Sequence, residues 1–329
     1  MSGFARRAFL AGAGLASAGA FATIPAFAQG TWPQRPVRFV VPFPPGGPAD
    51  VLARSLGERL GNRLGRSFTI ENRPGAGTAI GTRETAQSAP DGHTIMIGTV
   101  SSHAMNPALN RNVGYDPIAD FAPIAGLASV PFYLVVHPRV AARSVAEFVA
   151  LAHAQPGRLN YASAGIGTSN HLAGEFFKLA ARADIAHIPY RGSAPALQGV
   201  IAGETQAMFD LSITALPQIE AGTVRALAVA SPRRLPRTPD VPALAETFPG
   251  FEASAWFGIF APARTPEAIV SRLAAEIDSA FEDPAIRERL AQQGADPLRL
   301  GPGPFATFVR EEHARWGRVI RDADIKPEG

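Results

Sequence analysis

The chain has 329 residues, 46% of them hydrophobic and 18% charged, and this composition excludes an intrinsically disordered protein, which would have too few apolar groups to form a core. The formal net charge is only +3, part of it from Arg6 and Arg7, and without a long basic run it excludes a nucleic-acid-binding surface. The lack of cysteine excludes disulfides, thiolate metal sites and a lipid-modified amino-terminal cysteine. The length by itself predicts two domains.

The first 28 residues have the organisation of an export signal. Arg6 and Arg7 precede an uncharged stretch rich in alanine, glycine and leucine, which ends in the small-residue pattern A-F-A at Ala28. This order predicts a signal peptide cleaved after Ala28, and Phe9 and Leu10 behind the paired arginines favour the twin-arginine export route. A permanent membrane anchor is the alternative, but the stretch is only mildly hydrophobic. We therefore expect a periplasmic protein.

Beyond this segment, short β-branched and aromatic runs alternate with amphipathic helical patterns. Leucines recur every four residues from Leu52 to Leu64 and predict a helix with one apolar face. Strands and helices in alternation predict an α/β protein with mainly parallel sheets. The predicted strands are Val37–Val41, Ser67–Glu71, Thr94–Gly98, Phe132–His137, Leu159–Ser163, Thr205–Asp210, Val224–Ala230 and Trp256–Ala261.

Four glycine-rich loops follow predicted strands and open predicted helices. Ligands of such sheets bind beyond the carboxyl ends of the strands. Glycine lets backbone N–H groups approach a ligand, and a helix start adds unpaired donors and a partial positive charge. One such loop alone would be an ordinary turn, but four of them favour anion binding. The loops are Pro42–Asp50, Asn72–Thr78, Ala164–His171 and Tyr190–Pro195.

Nucleotide and metal sites have little support in the sequence. The phosphate motif GxxxxGK[ST] is missing, and the glycines at Gly75, Gly77 and Gly81 are spaced one residue too widely for the dinucleotide fingerprint. Neither an HExxH helix nor a Cys/His cluster with metal-ligand spacing occurs. We therefore expect no cofactor and no metal.

The sequence also lacks a clear pair of nucleophile and base, which a hydrolytic enzyme would need. Ser101, Ser102 and His103 place hydroxyls beside an imidazole, but neighbours in sequence do not generally face each other, and no GxSxG elbow is present. We interpret these three residues as polar loop lining. His171 and Asp210 are interpreted as ligand contacts or loop braces. The sequence therefore predicts a binding protein and not an enzyme.

Short motifs along the mature chain, from about Trp32 to Ile320, occur in the order known from one family. These motifs are Arg35–Gly47, Glu71–Gly77, Ala89–Gly92, His103–Leu109, Tyr115–Pro117, Leu159–Gly165, Gly167–Ser169, His171–Ala173, Pro189–Gly192, Asp240–Pro242 and Trp256–Gly258. On them the chain resembles the Bug-type periplasmic substrate-binding proteins of tripartite tricarboxylate transporters.

The resemblance implies a two-lobed periplasmic-binding-protein (Venus flytrap) fold, in which each lobe is a mainly parallel sheet flanked by helices. It implies lobe 1 in residues 29–131 and 252–329 and lobe 2 in residues 132–251. A small organic carboxylate would be held largely by backbone N–H groups of the Phe43–Asp50 and Gly165–Ser169 loops. The implied ligand-binding residues are Phe43, Pro44, Gly46, Gly47, Asp50, Ser101, Ser102, Ala164, Gly165, Thr168, Ser169, Tyr190 and Asp210.

Two positions depart from the family pattern. Ala49 stands where a hydroxyl residue is often found, and Leu211-Ser212 replaces the usual Asn-Leu, so the contacts to the distal end of the ligand stay open, as does the identity of the carboxylate. The family implies delivery of the ligand to the membrane permease of a tripartite tricarboxylate transporter, and we expect a monomer. A periplasmic sensor with a signalling partner and a carboxylate-processing enzyme are the alternatives.

Overall fold

A computed structural model describes residues 32–322 and Ile325, so the predicted signal peptide lies outside the described residues. The described chain contains every strand predicted from the sequence, within two residues at each boundary except the start of the fourth. The strands are β1 (Val37–Val41), β2 (Phe68–Asn72), β3 (Thr94–Thr99), β4 (Phe121–Val136), β5 (Asn160–Ser163), β6 (Ala186–Pro189), β7 (Ala207–Leu211), β8 (Arg225–Val229), β9 (Ser254–Pro262) and β10 (Asp296–Leu300).

Helices connect most of these strands and cover the sheet. Short 3₁₀ turns at Ala76–Thr78 and Leu244–Glu246 and a π turn at Ser101–Met105 supplement them. Within residues 32–322, none of the helices has the length and apolar character that crossing a bilayer requires. The α-helices are α1 (Pro48–Leu64), α2 (Ala79–Ala86), α3 (Asn106–Leu109), α4 (Val145–Ala154), α5 (Ser169–Ala181), α6 (Ser193–Ala202), α7 (Ser212–Glu220), α8 (Glu267–Ala280), α9 (Pro284–Gln292) and α10 (Pro302–Asp322).

The strands form a mixed sheet in the order β2-β1-β3-β9-β4-β7-β5-β6, with β8 and β10 also paired to β4. The outer pairs β1–β2, β1–β3, β5–β6 and β5–β7 are parallel. The central pairs of β4 with β7, β8, β9 and β10, and of β3 with β9, are antiparallel. The α/β fold is thus confirmed. Its parallel pairing is confined to the outer strands, because β4 and β9 lie at the centre of the sheet and run antiparallel to their neighbours.

Strand β4 changes partners along its length and divides the sheet into two parts. Residues 121–131 of β4 pair with β9, and residues 132–136 pair with β7. We call β1, β2, β3, β9, β10 and residues 121–131 the first half-sheet, and β5 to β8 with residues 132–136 the second half-sheet. Three pieces of strand were not predicted, namely β6, β10 and the first part of β4. In β4 the reason is that Pro123, Gly126 and Pro131 interrupt the strand pattern.

Helix α1 packs on the first half-sheet through small residues. Ala53 and Gly57 are buried, and a Cβ at Gly57 would lie 3.1 Å from Cδ1 of Ile70 on β2. Leu52 and Leu56, from the predicted leucine face, are half-buried and line an apolar groove toward α8 and α9. The leucine spacing therefore predicts the helix correctly. The fully buried face combines Leu60 of the leucine set with Ala53 and Gly57, whose small side chains let the helix approach the strands.

Helix α10 returns the carboxyl end of the described chain to the first half-sheet. Phe305 and Trp316 are buried, and the Glu312 carboxylate accepts hydrogen bonds from the indole nitrogens of Trp256 on β9 (3.1 Å) and of Trp316 (3.3 Å). A buried carboxylate is stable when donors satisfy its oxygens. Both ends of the described chain therefore contribute to the first half-sheet.

Candidate functional site

A wide cleft of about 550 Å³ lies where loops of the two half-sheets face each other. The first half-sheet contributes the loops at residues 42–44 and 74–78 and part of α3. The second half-sheet contributes residues 164–168 and 190–192. Each of the four glycine-rich loops predicted from the sequence thus has residues in the lining. Six of the predicted ligand-binding residues line this cleft, namely Phe43, Pro44, Ala164, Gly165, Thr168 and Tyr190.

A narrower cavity of about 20 Å³ shares Phe43 and Pro44 with the cleft and lies at three helix starts. Its lining includes Gly47, which is the N-cap of α1, and Ser169 and Ser193, which begin α5 and α6. The N-cap residues of these helices make no side-chain capping bond. Three positive helix-dipole ends therefore converge on one small space, and such an arrangement favours an anion.

The loop before α1 is braced by Asp50, which is 3% exposed. Its carboxylate accepts hydrogen bonds from Gly46 N (3.0 Å), Arg54 Nε (2.9 Å) and Asn72 Nδ2 (2.9 Å), and Asn72 Nδ2 also donates to Phe43 O. Burial alone would raise the pKa of Asp50, but these hydrogen bonds outweigh it and hold the pKa below its usual value. Protein donors occupy both oxygens of Asp50, which therefore shapes the predicted carboxylate loop and lies outside the two cavity linings.

The loop before α5 is a tight turn closed on itself. Gly165 has a φ of +122°, which favours glycine, and its N–H donates to Ser163 Oγ (3.0 Å). Its carbonyl accepts hydrogen bonds from the amide and the hydroxyl of Thr168. The Gly167 amide donates to Nδ1 of His171 at 3.3 Å, so His171 acts as a loop brace.

Ser101 and Ser102, adjacent in sequence, have different roles. Ser101 Oγ accepts a hydrogen bond from the Ser169 amide at the start of α5 (2.9 Å) and so joins the two half-sheets. Ser102 Oγ instead bonds the backbone of Thr99 and Nδ1 of His103 (2.9 Å), and it lies outside both cavity linings. Burial lowers the pKa of His103 to about 3, so its imidazole is neutral at physiological pH.

Tyr190 and the neighbouring loop form the far side of the wide cleft. The Tyr190 amide donates to Ser163 O (3.0 Å), and its hydroxyl donates to Glu204 Oε2 (3.2 Å). With its hydroxyl bound to the protein, Tyr190 offers the cleft mainly its ring.

Asp210, at the end of β7, is fully buried. Within the described chain no group makes a hydrogen bond of normal geometry to either carboxyl oxygen. Burial raises the pKa of Asp210 to about 7, and the nearby Thr214 hydroxyl and Leu211 amide only partly offset this effect. The carboxyl oxygens lie outside both cavity linings. Asp210 therefore lines neither cavity, and it holds a proton over most of the acidic range.

Glycines let the loops of the two half-sheets touch across the cleft. A Cβ at Gly77 would lie 2.6 Å from the carbonyl oxygen of Ile166, and one at Gly192 would lie 2.7 Å from Cγ of Pro44. No real Cβ tolerates such separations without movement of the backbone or ring. These two contacts therefore depend on glycine.

Two asparagines that were not among the predicted residues position the first wall of the cleft. Asn72 bridges Asp50 and Phe43. Asn106 lines the cleft and donates through Nδ2 to the carbonyls of Ala76 (2.9 Å) and Gly77 (2.8 Å). Both lay within motifs matched in the sequence, Asn72 in Glu71–Gly77 and Asn106 in His103–Leu109, but nothing local marked them as loop-positioning residues.

An α/β fold with two half-sheets, a cleft between them and helix starts directed at the cleft defines the class of periplasmic solute-binding proteins. Residues 52–325 match the family described as "Tripartite tricarboxylate transporter family receptor" (TctC). The chain belongs to this family, which is one of solute-binding proteins, and the resemblance to Bug proteins seen in the sequence is confirmed.

Curated and structurally solved relatives agree with this assignment. The chain is 37% identical to Protein BugT of Bordetella pertussis, an alignment that covers 90% of this chain and 91% of that protein. A R. palustris protein solved with adipate is 36% identical with a TM-score of 0.87 and covers 90% of this chain and 100% of its own. MatC from Rhodopseudomonas palustris, solved with bound malate, is 35% identical with a TM-score of 0.84 and covers 88% of this chain and 99% of its own.

Proposed function

We propose that this protein is a periplasmic receptor that captures a small organic carboxylate between two lobes and delivers it to the membrane permease of a tripartite tricarboxylate transporter. The proposal includes export with cleavage of the signal peptide after Ala28. It also includes a monomeric mature protein. Support comes from the family and from two similar structures, one solved with adipate and one with malate.

The observation that carries this proposal is the convergence of the helices α1, α5 and α6 on the narrow cavity. A carboxylate there would accept hydrogen bonds from backbone amides at the helix starts. Gly47 lies on one side, and on the other side the Ser169 amide would exchange its bond to Ser101 Oγ for one to the ligand. Hydrogen bonds to a charged group are worth roughly 1.5 to 3 kcal/mol each. Such a carboxylate needs no basic side chain in the narrow cavity, whose described lining contains none.

We propose lobe 1 as residues 29–131 and 252–329 and lobe 2 as residues 132–251. The change of partners in β4 between Pro131 and Phe132 supports the first boundary. The second boundary is supported by the Ala253 amide, which donates to Ala230 O just before β9 enters the first half-sheet. Closure of these lobes would exclude water from the amides and so favour the liganded state.

A thermal-shift screen tests the proposed ligand class. The chain beginning after Ala28 is expected to be stabilised by at least one member of a panel containing adipate, malate and other mono-, di- and tricarboxylates. A ligand at 100 times its dissociation constant adds roughly 2.7 kcal/mol to the free energy of unfolding. Neutral amides of the same acids serve as controls. A panel in which no acid raises the melting temperature above its amide contradicts the proposal.

The substitution Gly77→Ala tests closure. The new Cβ would meet the carbonyl oxygen of Ile166 at 2.6 Å, and overpacking of this kind costs about 1 to 3 kcal/mol. The dissociation constant of the stabilising acid, measured by calorimetry, is therefore expected to rise roughly tenfold or more. The matched control is Gly65→Ala, where φ is also positive (+71°) but no atom lies within 4 Å. Equal affinities of the two variants would show that closure does not need this contact.

A further inference from the structure

The wide cleft has one charged side chain among the described residues of its lining, and that residue is Arg191. It is exposed, and no described residue forms an ion pair or a side-chain hydrogen bond with it. The described linings of the wide cleft and of the narrow cavity contain no acidic residue. The positive charge of Arg191 is therefore uncompensated in the space that a ligand would fill.

Most other polar side chains of the cleft use their hydrogen-bonding groups within the protein. Asn106 Nδ2 donates to two carbonyls of the 75–78 loop, and Asn110 Oδ1 accepts from the Asn112 amide. Thr168 and Tyr190 donate their hydroxyls to protein acceptors. The remaining hydroxyl in the lining, that of Thr78, is shielded from solvent. Beside the Nδ2 group of the half-buried Asn110, Arg191 is thus the lining side chain with exposed donors to spare, and it is the charged one.

The backbone that carries Arg191 is held on both sides. Tyr190 is fixed by its amide bond to Ser163 O and packs against Gly199. Gly192 has a φ of +123° and meets the ring of Pro44. Arg191 therefore projects from a positioned segment at which the two half-sheets touch.

We propose that Arg191 binds a second anionic group at the distal end of the ligand and so makes the protein selective for dianions over monoacids. This inference rests on the proposed function, since it takes the first carboxylate to lie at the three helix starts. The narrow cavity and the wide cleft share Phe43 and Pro44 and so lie side by side, and the inference takes one short molecule to reach from the first into the second. Its far end enters the space where Arg191 is the charged group, and a guanidinium pairs with a carboxylate through two parallel N–H donors.

The test compares each diacid with its own monoamide, which has the same length and shape but one charge fewer. The pairs used are adipate with its monoamide and malate with its monoamides, within a wider panel of diacids treated in the same way. Calorimetry gives each dissociation constant for the wild type, R191Q, R191K and R158Q. The exposed Arg158 lies just before β5 and outside both cavity linings. R158Q therefore removes the same charge without changing the lining of either cavity.

The wild type and R158Q are expected to bind a diacid at least tenfold more tightly than its monoamide. This is the difference in affinity expected from about one charge-assisted hydrogen bond. R191Q is expected to abolish this preference by weakening the binding of the diacid while leaving that of the monoamide unchanged. R191K is expected to retain part of the preference. If R191Q weakens diacid and monoamide equally, or if the wild type does not discriminate, the inference is overturned while the receptor function stands. If no acid of the panel binds to the wild type, the proposed function fails and this inference with it.

Discussion

Replacing Gly47 with leucine is expected to reduce carboxylate affinity by a hundredfold or more while leaving the fold intact. Gly47 has a φ of −84° and a ψ of 171°, which any residue adopts without strain. A Cβ there would lie 3.9 Å from Cβ of Ser193, an ordinary contact, so the backbone need not move. The rest of the leucine side chain would enter the narrow cavity of about 20 Å³. Loss of two hydrogen bonds to a charged group, at roughly 1.5 kcal/mol or more each, gives at least this factor.

The control for this variant is Gly301→Leu, since a Cβ at Gly301 would have no atom within 4 Å and the residue lies outside both cavities. Calorimetry with the acid found by thermal shift measures binding, and the melting temperature without ligand reports on folding. Affinity of G47L equal to that of G301L would place the carboxylate away from the three helix starts. A crystal structure with the acid bound would show the same directly.

The free energy of unfolding is expected to fall by about 4 kcal/mol between pH 4 and pH 7 because of Asp210 alone, at about 1.4 kcal/mol per pH unit. Burial raises the pKa of Asp210 from 3.8 to about 7 in the folded protein. Over this window the unfolded chain has released the proton while the folded protein still holds it. The contribution is therefore fully present below pH 4, is lost progressively up to pH 7, and stays lost at higher pH.

The variant Asp210→Asn isolates this contribution, because the amide has nearly the same shape but does not titrate. Urea unfolding of both proteins from pH 5 to pH 8 measures the free energy of unfolding. As the pH rises, this free energy is expected to increase for D210N relative to the wild type. The exposed Asp296 supplies the control D296N, which changes the same group at the surface. A difference between wild type and D210N that is independent of pH would mean that Asp210 is ionised, or solvated, in the folded state.

The predicted site divides into residues that line the cavities and residues that support them. Gly47 and Ser169 line the narrow cavity, and their contact with a ligand stays a prediction. Asp50 supports the loop that precedes α1, and Ser102 bonds Thr99 and His103 outside both cavity linings. The sequence pattern identifies the loops but does not distinguish the two roles, since both kinds of residue lie beside glycine in the same short motifs.

The part of β4 that was not predicted illustrates a second limit of prediction from sequence. Residues 121–131 contain prolines, alanine and glycine, and their local preference does not favour a strand. They form one because β9 and β10 flank them on both sides, so that pairing with distant strands overrides propensity. Arg191 was likewise within a matched motif, yet nothing local indicated that it would be the charged residue of the cleft lining.

From its sequence by itself, this protein is determined to be an α/β chain of the receptor family with glycine-rich loops at helix starts, because periodicity, turn residues and short motifs depend on neighbours a few positions apart. Only the tertiary structure decides which polar groups are exposed and which are used internally. The partners of Asp50 and Ser101 lie as far as 22 and 68 residues away, and the burial of Asp210 depends on its place within the sheet. Burial and pairing are properties of the packed chain, and they set the charge and the donors that the cleft offers to a ligand.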